Sequence, residues 1–269
     1  MRLAGLDYQI IDLHMHMGSI YCMHYSLSSA DDMSGYMDRA GIALSISAPN
    51  EDLFTMPQTY SMVEDAMSRY PGKILGYYSV NPLSHTNAEM LEEAFTRAPY
   101  AGIKVLPDYH ATALDDAVFA PVMEYADKNH MLVLSHTWGT GAFNSAKQVV
   151  SILDRYPNIR LLMGHSIQGQ VDEAIELAKT YKNAYLDICD TGRLNGVIEK
   201  MVKKAGPEKV TYGTDWPWLS PEYLVGAVFY ARIDEQAKRM ILRDNALRIL
   251  KETCSKKLFE TCSILRSAD

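Results

Sequence analysis

Short apolar runs punctuate the chain at roughly thirty-residue intervals, and longer stretches of mixed polarity separate them. The runs are Ile10–His14, Ala43–Ala48, Ile74–Val80, Gly102–Leu106, Met131–Ser135, Ile159–Met163, Ala184–Ile188 and Val210–Tyr212. Between them the period changes. Phe119, Val122, Met123 and Ala126 follow i, i+3, i+4, i+7, as do Val171, Ala174, Ile175 and Ala178, which places each set on one helix face. Ser29-Ala30-Asp31-Asp32 and Thr86-Asn87-Ala88-Glu89 have the shape of capping boxes and mark two helix starts. Strands alternating with helices imply βαβ units and a parallel sheet covered on both faces. Eight such units fill an α/β chain of the (β/α)8 barrel type with little left over.

The alternative is a doubly wound open sheet, but no glycine-rich phosphate loop follows the first run. Gly139-Thr140-Gly141 lacks a third glycine at the proper spacing and reads as a turn. No low-complexity linker divides the chain, so residues 1–269 are expected to form one barrel domain. Residues from about 251 lie beyond the eighth unit, as a terminal helical extension or as a surface for a partner, including a second copy of the chain in a homo-oligomer.

Composition narrows the class. With 48% hydrophobic and 10% aromatic residues, 269 residues can build a full core. The net charge of −7 comes without any cluster of Lys or Arg, so no electrostatic footprint for nucleic acid is present. Cys22, Cys189, Cys254 and Cys262 are scattered, as reduced thiols are, rather than spaced as a disulfide framework. Asp7 and Asp12 interrupt the first apolar segment, so it does not read as a signal peptide, and no run reaches the ~20 residues of a membrane span. A cytoplasmic protein acting on a small molecule is expected.

The candidate chemistry gathers on one face. Barrel active sites form at the carboxyl ends of the strands. His14 and His16 end the first run and, two residues apart, project together; Lys104 lies in the fourth, His136 ends the fifth, and His165 and Asp215 follow the sixth and eighth. Three imidazoles and a carboxylate make an N/O ligand set for Zn²⁺ or another divalent ion. A solitary strand-end histidine is more often a hydrogen-bonded structural group. Five matched strand ends argue otherwise, because structural histidines have no reason to share a face. Lys104 sits in a strand interior, a costly place for an unpaired ammonium. Predicted top loops add Tyr109, Trp138, Trp216 and Trp218 as an aromatic mouth, Arg193 as a partner for a substrate carboxylate, and His24 and His110 as groups placed to touch substrate, though as loop residues they read first as solvated. After the second run, Asn50, Glu51 and Asp52 read as a polar loop.

Asp12-Leu13-His14-Met15-His16, Gly102-Ile103-Lys104, Leu134-Ser135-His136, Met163-Gly164-His165 and Tyr212-Gly213-Thr214-Asp215-Trp216-Pro217 together resemble the amidohydrolase superfamily. More narrowly, they resemble the branch that also contains metal-dependent decarboxylases of carboxymuconate-semialdehyde type. The resemblance runs from Ile11 to about Leu250. It implies a metal-dependent (β/α)8 barrel in which His14, His16 and His136 are metal ligands and Asp215 binds metal and takes the proton of an attacking water. His165 corresponds to the ligand of a second metal in dinuclear members and to an acid/base or polarising group in mononuclear ones. Lys104 matches the lysine that bridges two metals when carboxylated, so one or two ions, zinc first, are implied. Many relatives in this branch carry a histidine two residues after that lysine, where this chain has Leu106.

The first functional expectation is hydrolysis of an amide or ester bond, a lactone included. A bound metal lowers the pKa of water from 15.7 to roughly 7 and polarises a carbonyl, and Asp215 shuttles the proton to the leaving group. The rival is non-oxidative decarboxylation of a small, aromatic acid on the same ligands. A barrel that binds metal without catalysis is the third reading, against which Asp215 and His165 stand. Deoxyribonucleases with a similar opening carry glutamate where this chain has Lys104, and the acidic balance also disfavours a nucleic-acid substrate.

Overall fold

The computed structural model describes residues 6–20, 24–54, 58–139 and 141–266. Eight strands succeed one another in parallel, β1 (Ile10–Met15), β2 (Ile42–Ser47), β3 (Ile74–Val80), β4 (Gly102–Val105), β5 (Leu132–His136), β6 (Arg160–Gly164), β7 (Ala184–Asp187) and β8 (Val210–Thr211), each paired with the next. The sheet closes through the chain after β8. The N–H groups of Leu13 and His16 donate to the carbonyls of Tyr212 (3.0 Å) and Trp216 (2.6 Å), and that of Asp215 donates to the carbonyl of His14 (2.7 Å). The architecture is a (β/α)8 barrel.

Two apolar clusters follow from strand alternation. Ile11, Leu13, Leu44, Ile46, Tyr77, Leu132, Leu134 and Leu162 fill the interior. Ile42, Ile74, Ile103, Val133, Leu161 and Val210 face the outer helices. Helix Ala30–Ala40 starts at Ser29 with the expected capping box to Asp32. The second expected box is displaced by one residue: Asn87 caps Ala88–Arg97, and the Thr86 hydroxyl pairs with Ser84 instead. Asn50–Phe54 is a short helix rather than a polar loop, since buried Asn50 donates to the carbonyl of Gly18 and Asp52 accepts from the N–H of Tyr60. Gly139 turns with φ +77, while Thr140 and Cys22 lie outside the described residues.

The C-terminal segment continues past Leu250 as helices Asn245–Thr253, Lys256–Thr261 and Ser263–Arg266. Leu258, Cys262 and Leu265 pack into the interior cluster at the amino-terminal end of the strands, and Lys257 donates to the carbonyls of Thr96 and Arg97 there. This segment closes the floor of its own barrel, leaving the opposite end for chemistry. No helix among the described residues is long and apolar enough to cross a membrane.

Candidate metal centre and active site

A shift of register between Asp12 and Met15 re-aims β1 at its carboxyl end. Leu13 packs inside the barrel, Met15 and Met17 pack against the helices, and His14 and His16 turn to the mouth. Asp12 fastens the bend, accepting from the N–H groups of His14 (2.9 Å) and Thr214 (3.2 Å), so one buried carboxyl ties β1 to the segment that carries Asp215. Asp215 itself has φ +61 and His165 φ +64, left-handed backbone that non-glycine residues adopt at a cost and that gathers at functional sites. Gly213 makes room beneath: a Cβ there would stand 2.3 Å from Asp187 Oδ1 and 2.7 Å from His14 Cβ.

The convergence is tightest among three groups. His14 Nε2 lies 3.3 Å from His16 Nε2, and each lies 3.2 Å from Asp215 Oδ1. The other ring nitrogens fix the proton positions. His14 Nδ1 faces Asp187 Oδ2 at 2.7 Å and His16 Nδ1 faces the Ala48 carbonyl at 2.7 Å, both acceptors, so each ring carries its proton on Nδ1 and turns the Nε2 lone pair inward. Burial pushes His14, His16 and His165 well below the ordinary histidine range, reinforced by Lys104 at the first two and by His136 at the third. All three are neutral, the form that ligates metal.

Acceptors packed this closely need a cation beside them, a part that the Lys104 ammonium plays at His14 Nε2 (2.9 Å) and that a metal ion can play for all three. Asp215 Oδ1 has no hydrogen-bond partner among the described residues. Ligand atoms at 2.0–2.1 Å from a divalent ion stand about 3.3 Å apart around a tetrahedron and about 2.9 Å apart around an octahedron. The observed edges of 3.2–3.3 Å match the face of such a polyhedron, so the donor set fits a divalent metal.

Around this triangle stand the other expected residues. Lys104 is fully buried, with Nζ 2.9 Å from His14 Nε2. Burial pushes its ammonium down to about 8, against the pull of Asp215 and Asp187. Burial likewise pushes the Asp215 carboxyl up to about 7, opposed by Lys104. His165 Nε2 lies 3.9 Å from Asp215 Oδ2, and His14, His165 and Asp215 offer ligand atoms within 4.8 Å of one another. His136 stands one ring further out: its Nδ1 is 3.1 Å from His165 Nε2 and its Nε2 is 3.4 Å from Asp108 Oδ2. Burial raises Asp108, but its contact with His136 outweighs this and holds the carboxyl below its usual range.

Above the triangle opens a cavity of about 280 Å³ whose walls include Tyr25, Phe54, Tyr109, Trp138 and Trp218. Trp138 stacks on His136 with an interplanar angle of 4°, and Trp218 meets His16 edge-on at 4.5 Å. Three expectations for this mouth are corrected. Trp216 is 2% exposed and packs outward against Tyr36, because the closing ladder sends Asp215 inward and the next side chain to the helix layer. Arg193 is half-exposed and bound to Asp190 at 2.7 Å, and no arginine lines the cavity among the described residues. His24 is exposed and away from the cavity lining, while His110 faces the carbonyl of Leu53 at 2.8 Å.

Sequence reasoning passed over Asp187, Cys189 and Asp108. Asp187 ends β7 at the same face as the histidines, so its strand position was the available signal. Cys189 places its thiol 2.8 Å from Asp187 Oδ2, 3.3 Å from His14 Nδ1 and 3.2 Å from His165 Nδ1. Burial and the neighbouring carboxylates push that thiol well up, so it keeps its proton.

The amidohydrolase family model matches residues 11–251. No curated protein matches the sequence significantly. Solved structures similar to this chain include a dihydroxybenzoic acid decarboxylase from Polaromonas sp. JS666, with bound manganese and the inhibitor 2-nitroresorcinol. It is 16% identical with a TM-score of 0.75, over 93% of this chain and 99% of that one. The 2,6-dihydroxybenzoate decarboxylase from Rhizobium is 14% identical with a TM-score of 0.70, over 90% and 98%. The 5-carboxyvanillate decarboxylase from Sphingomonas paucimobilis is 14% identical with a TM-score of 0.69, over 91% and 99%. With the family model matching residues 11–251, a stretch that carries the eight strands of the barrel, this chain belongs to the amidohydrolase family.

Proposed function

We propose that this protein is a divalent-metal-dependent, non-oxidative decarboxylase of a small aromatic acid, in preference to the hydrolase that its ligands first suggest. The observation that carries the reading is the cavity: about 280 Å³, room for a single substituted ring, walled by aromatic side chains and reached by His16, His165 and Asp215. Similar solved structures are of enzymes named for dihydroxybenzoate and carboxyvanillate, which agrees with that size and lining.

His14, His16 and Asp215 would hold one ion, with Lys104 and His165 beside the site. When bound, that ion supplies a positive charge on which the substrate's oxygens are oriented and the ring's developing negative charge is stabilised. By donor type the two imidazoles suit zinc, and the carboxylate suits manganese as well. Trp138 and Tyr109 on one wall and Trp218 and Tyr25 on another hold the ring. Their apolar surfaces exclude water, so the carboxylate to be lost is poorly solvated where it stands. The C–CO₂⁻ bond breaks, its electron pair stays on the ring carbon, and a proton takes the place of carbon dioxide. Asp215 holds that proton on Oδ2, the oxygen nearest His165 Nε2 at 3.9 Å, and His165, backed by His136 and Asp108, restores it. Cys189, Cys254 and Cys262 are free thiols, which supports a reducing, cytoplasmic location.

The test is a panel of mono- and dihydroxybenzoates beside aryl esters, anilides and lactones, assayed with manganese- or zinc-loaded protein. Carbon dioxide released in step with loss of an aromatic acid supports the reading. Turnover confined to esters, amides or lactones restores the hydrolase.

A further inference from the structure

Nine large hydrophobic side chains are exposed among the described residues, and three of them share one ten-residue helix, Pro221–Tyr230: Tyr223 at 51%, Phe229 at 42% and Tyr230 at 83%. Another helix of the outer layer, Val197–Ala205, turns Lys203 and Lys204 to solvent. Pro221–Tyr230 carries a single charge, Glu222, and a helix apolar on every side is built to be buried on every side. Its inner face, Leu224, Val225 and Val228, packs against the barrel. Its outer face reads Tyr223, Gly226, Ala227, Tyr230, the i, i+3, i+4, i+7 positions of one stripe. Glycine inside a helix costs stability relative to alanine. The fold does not call for it here: a Cβ on Gly226 would meet no neighbouring atom within 4 Å among the described residues.

We infer that this face receives a second copy of the chain, the two helices crossing antiparallel at Gly226 and Ala227 about a two-fold axis. Such a contact needs a surface that complements itself, and the order large, small, small, large reads the same from either end. With the axis between positions 226 and 227, Gly226 meets Ala227 of the second copy, and Tyr223 meets Tyr230, twice. Crossing helices come closest at the crossing point and diverge on either side, so the small residues stand where the backbones approach and the tyrosines where space opens. The charges obey the same axis. Glu222, at one end of the helix, is brought beside exposed Arg232, just past the other end, in both copies. At ~150–250 Å² per aromatic side chain, Tyr223, Phe229 and Tyr230 offer roughly 350 Å² per copy, close to half of the ~800 Å² that each side of a stable dimer buries. A lipid surface would be met by a basic rim. Here Arg232 and Lys238 are mixed with Glu199, Glu222 and Glu235, in a chain of net charge −7. The inference does not depend on which reaction the cavity performs.

The experiment is analytical ultracentrifugation of the full-length protein over a range of concentrations. Wild type is expected at twice the 30.2 kDa of one chain. Gly226→Leu fits the open space of the single chain but holds the two backbones apart, and Tyr230→Asp sets a carboxylate in the contact. Each should weaken self-association about 30-fold or more. Glu222→Arg should weaken it about fivefold, and adding Arg232→Glu should restore it, a rescue that the antiparallel arrangement requires. Circular dichroism establishes that each variant is folded, and Tyr230, the most exposed of these side chains, keeps the test decisive if Gly226→Leu is not. Wild type that keeps the mass of one chain at every concentration overturns the inference, and its binding to phosphatidylserine vesicles in that state would assign the face to lipid instead. A dimer that Gly226→Leu and Tyr230→Asp both leave intact overturns it as well, as does a double charge variant that does not recover.

Discussion

Replacing Asp187 by asparagine separates two effects that share one residue. In the metal-free protein the carboxyl is raised by burial from 3.8 to about 6, so ionising it in the folded chain at neutral pH costs about 3 kcal/mol relative to the unfolded chain. Asp187→Asn removes that cost. It also removes an acceptor: the amide oxygen takes the place of Oδ2, which serves His14 and Cys189 Sγ, and the NH₂ group then opposes the Cys189 N–H that Oδ1 had satisfied. An unsatisfied buried donor costs about 1–3 kcal/mol, so the two terms nearly cancel and the metal-free variant should be about as stable as wild type at pH 7. Between pH 6 and 4 the folded wild type carries the proton that the unfolded chain has lost. Wild type should therefore gain stability relative to the variant as pH falls through that window, measured by urea unfolding in the presence of chelator. Metal affinity moves the other way. The anion behind His14 fixes its ring and raises its basicity, and its loss should weaken manganese binding about 10–100-fold by calorimetric titration. Unchanged manganese affinity, together with parallel pH–stability curves for the two proteins, would refute the assignment of Asp187 as the group that orients His14.

Asp215→Asn keeps an oxygen in the metal triangle but cannot hold the transferred proton, so turnover should fall by ~10²-fold or more while bound metal, measured by elemental analysis, falls modestly. Trp138→Ala opens the wall that stacks on His136 and should raise KM for an aromatic acid more than it lowers kcat, read from initial rates across substrate concentration. Trp216→Ala leaves a void between the barrel and Tyr36 and should cost about 3–5 kcal/mol in urea unfolding, whereas Arg193→Ala, which breaks only an exposed pair with Asp190, should cost less than about 1 kcal/mol.

The fold was legible because each strand of a parallel barrel is covered on both faces and reads as a continuous apolar run, while the helices keep a polar face. The convergence of His14, His16, Lys104 and Asp215 was legible for a related reason: a histidine, a lysine or an aspartate interrupting such a run at its carboxyl end has nowhere to go but the mouth. Asp187 and Cys189 escaped because they lie behind the histidines, and a cysteine after a strand looks like any small core residue. Trp216 and Trp218 could not be told apart by position alone. Which of them faces the cavity depends on how the segment after β8 pairs with Met15, a contact between residues 201 apart in sequence. The displaced cap turned on which of two adjacent polar residues, Thr86 or Asn87, accepts from the N–H of Met90, and the helix at Asn50 on a side-chain hydrogen bond to the distant carbonyl of Gly18, which local pattern does not encode.

The central claim is that a metal held by His14, His16 and Asp215 serves to remove a carboxyl group from an aromatic ring. Its most direct test is to strip the purified protein with chelator, reload it with manganese or zinc at known stoichiometry, and follow carbon dioxide and arene release from the hydroxybenzoate panel beside a His16→Ala variant. The account predicts carbon dioxide and arene in equal amounts, activity that saturates at about one ion per chain, and neither bound metal nor product with His16→Ala. Full activity in the stripped protein, or product formed from esters or amides with no carbon dioxide, would contradict it.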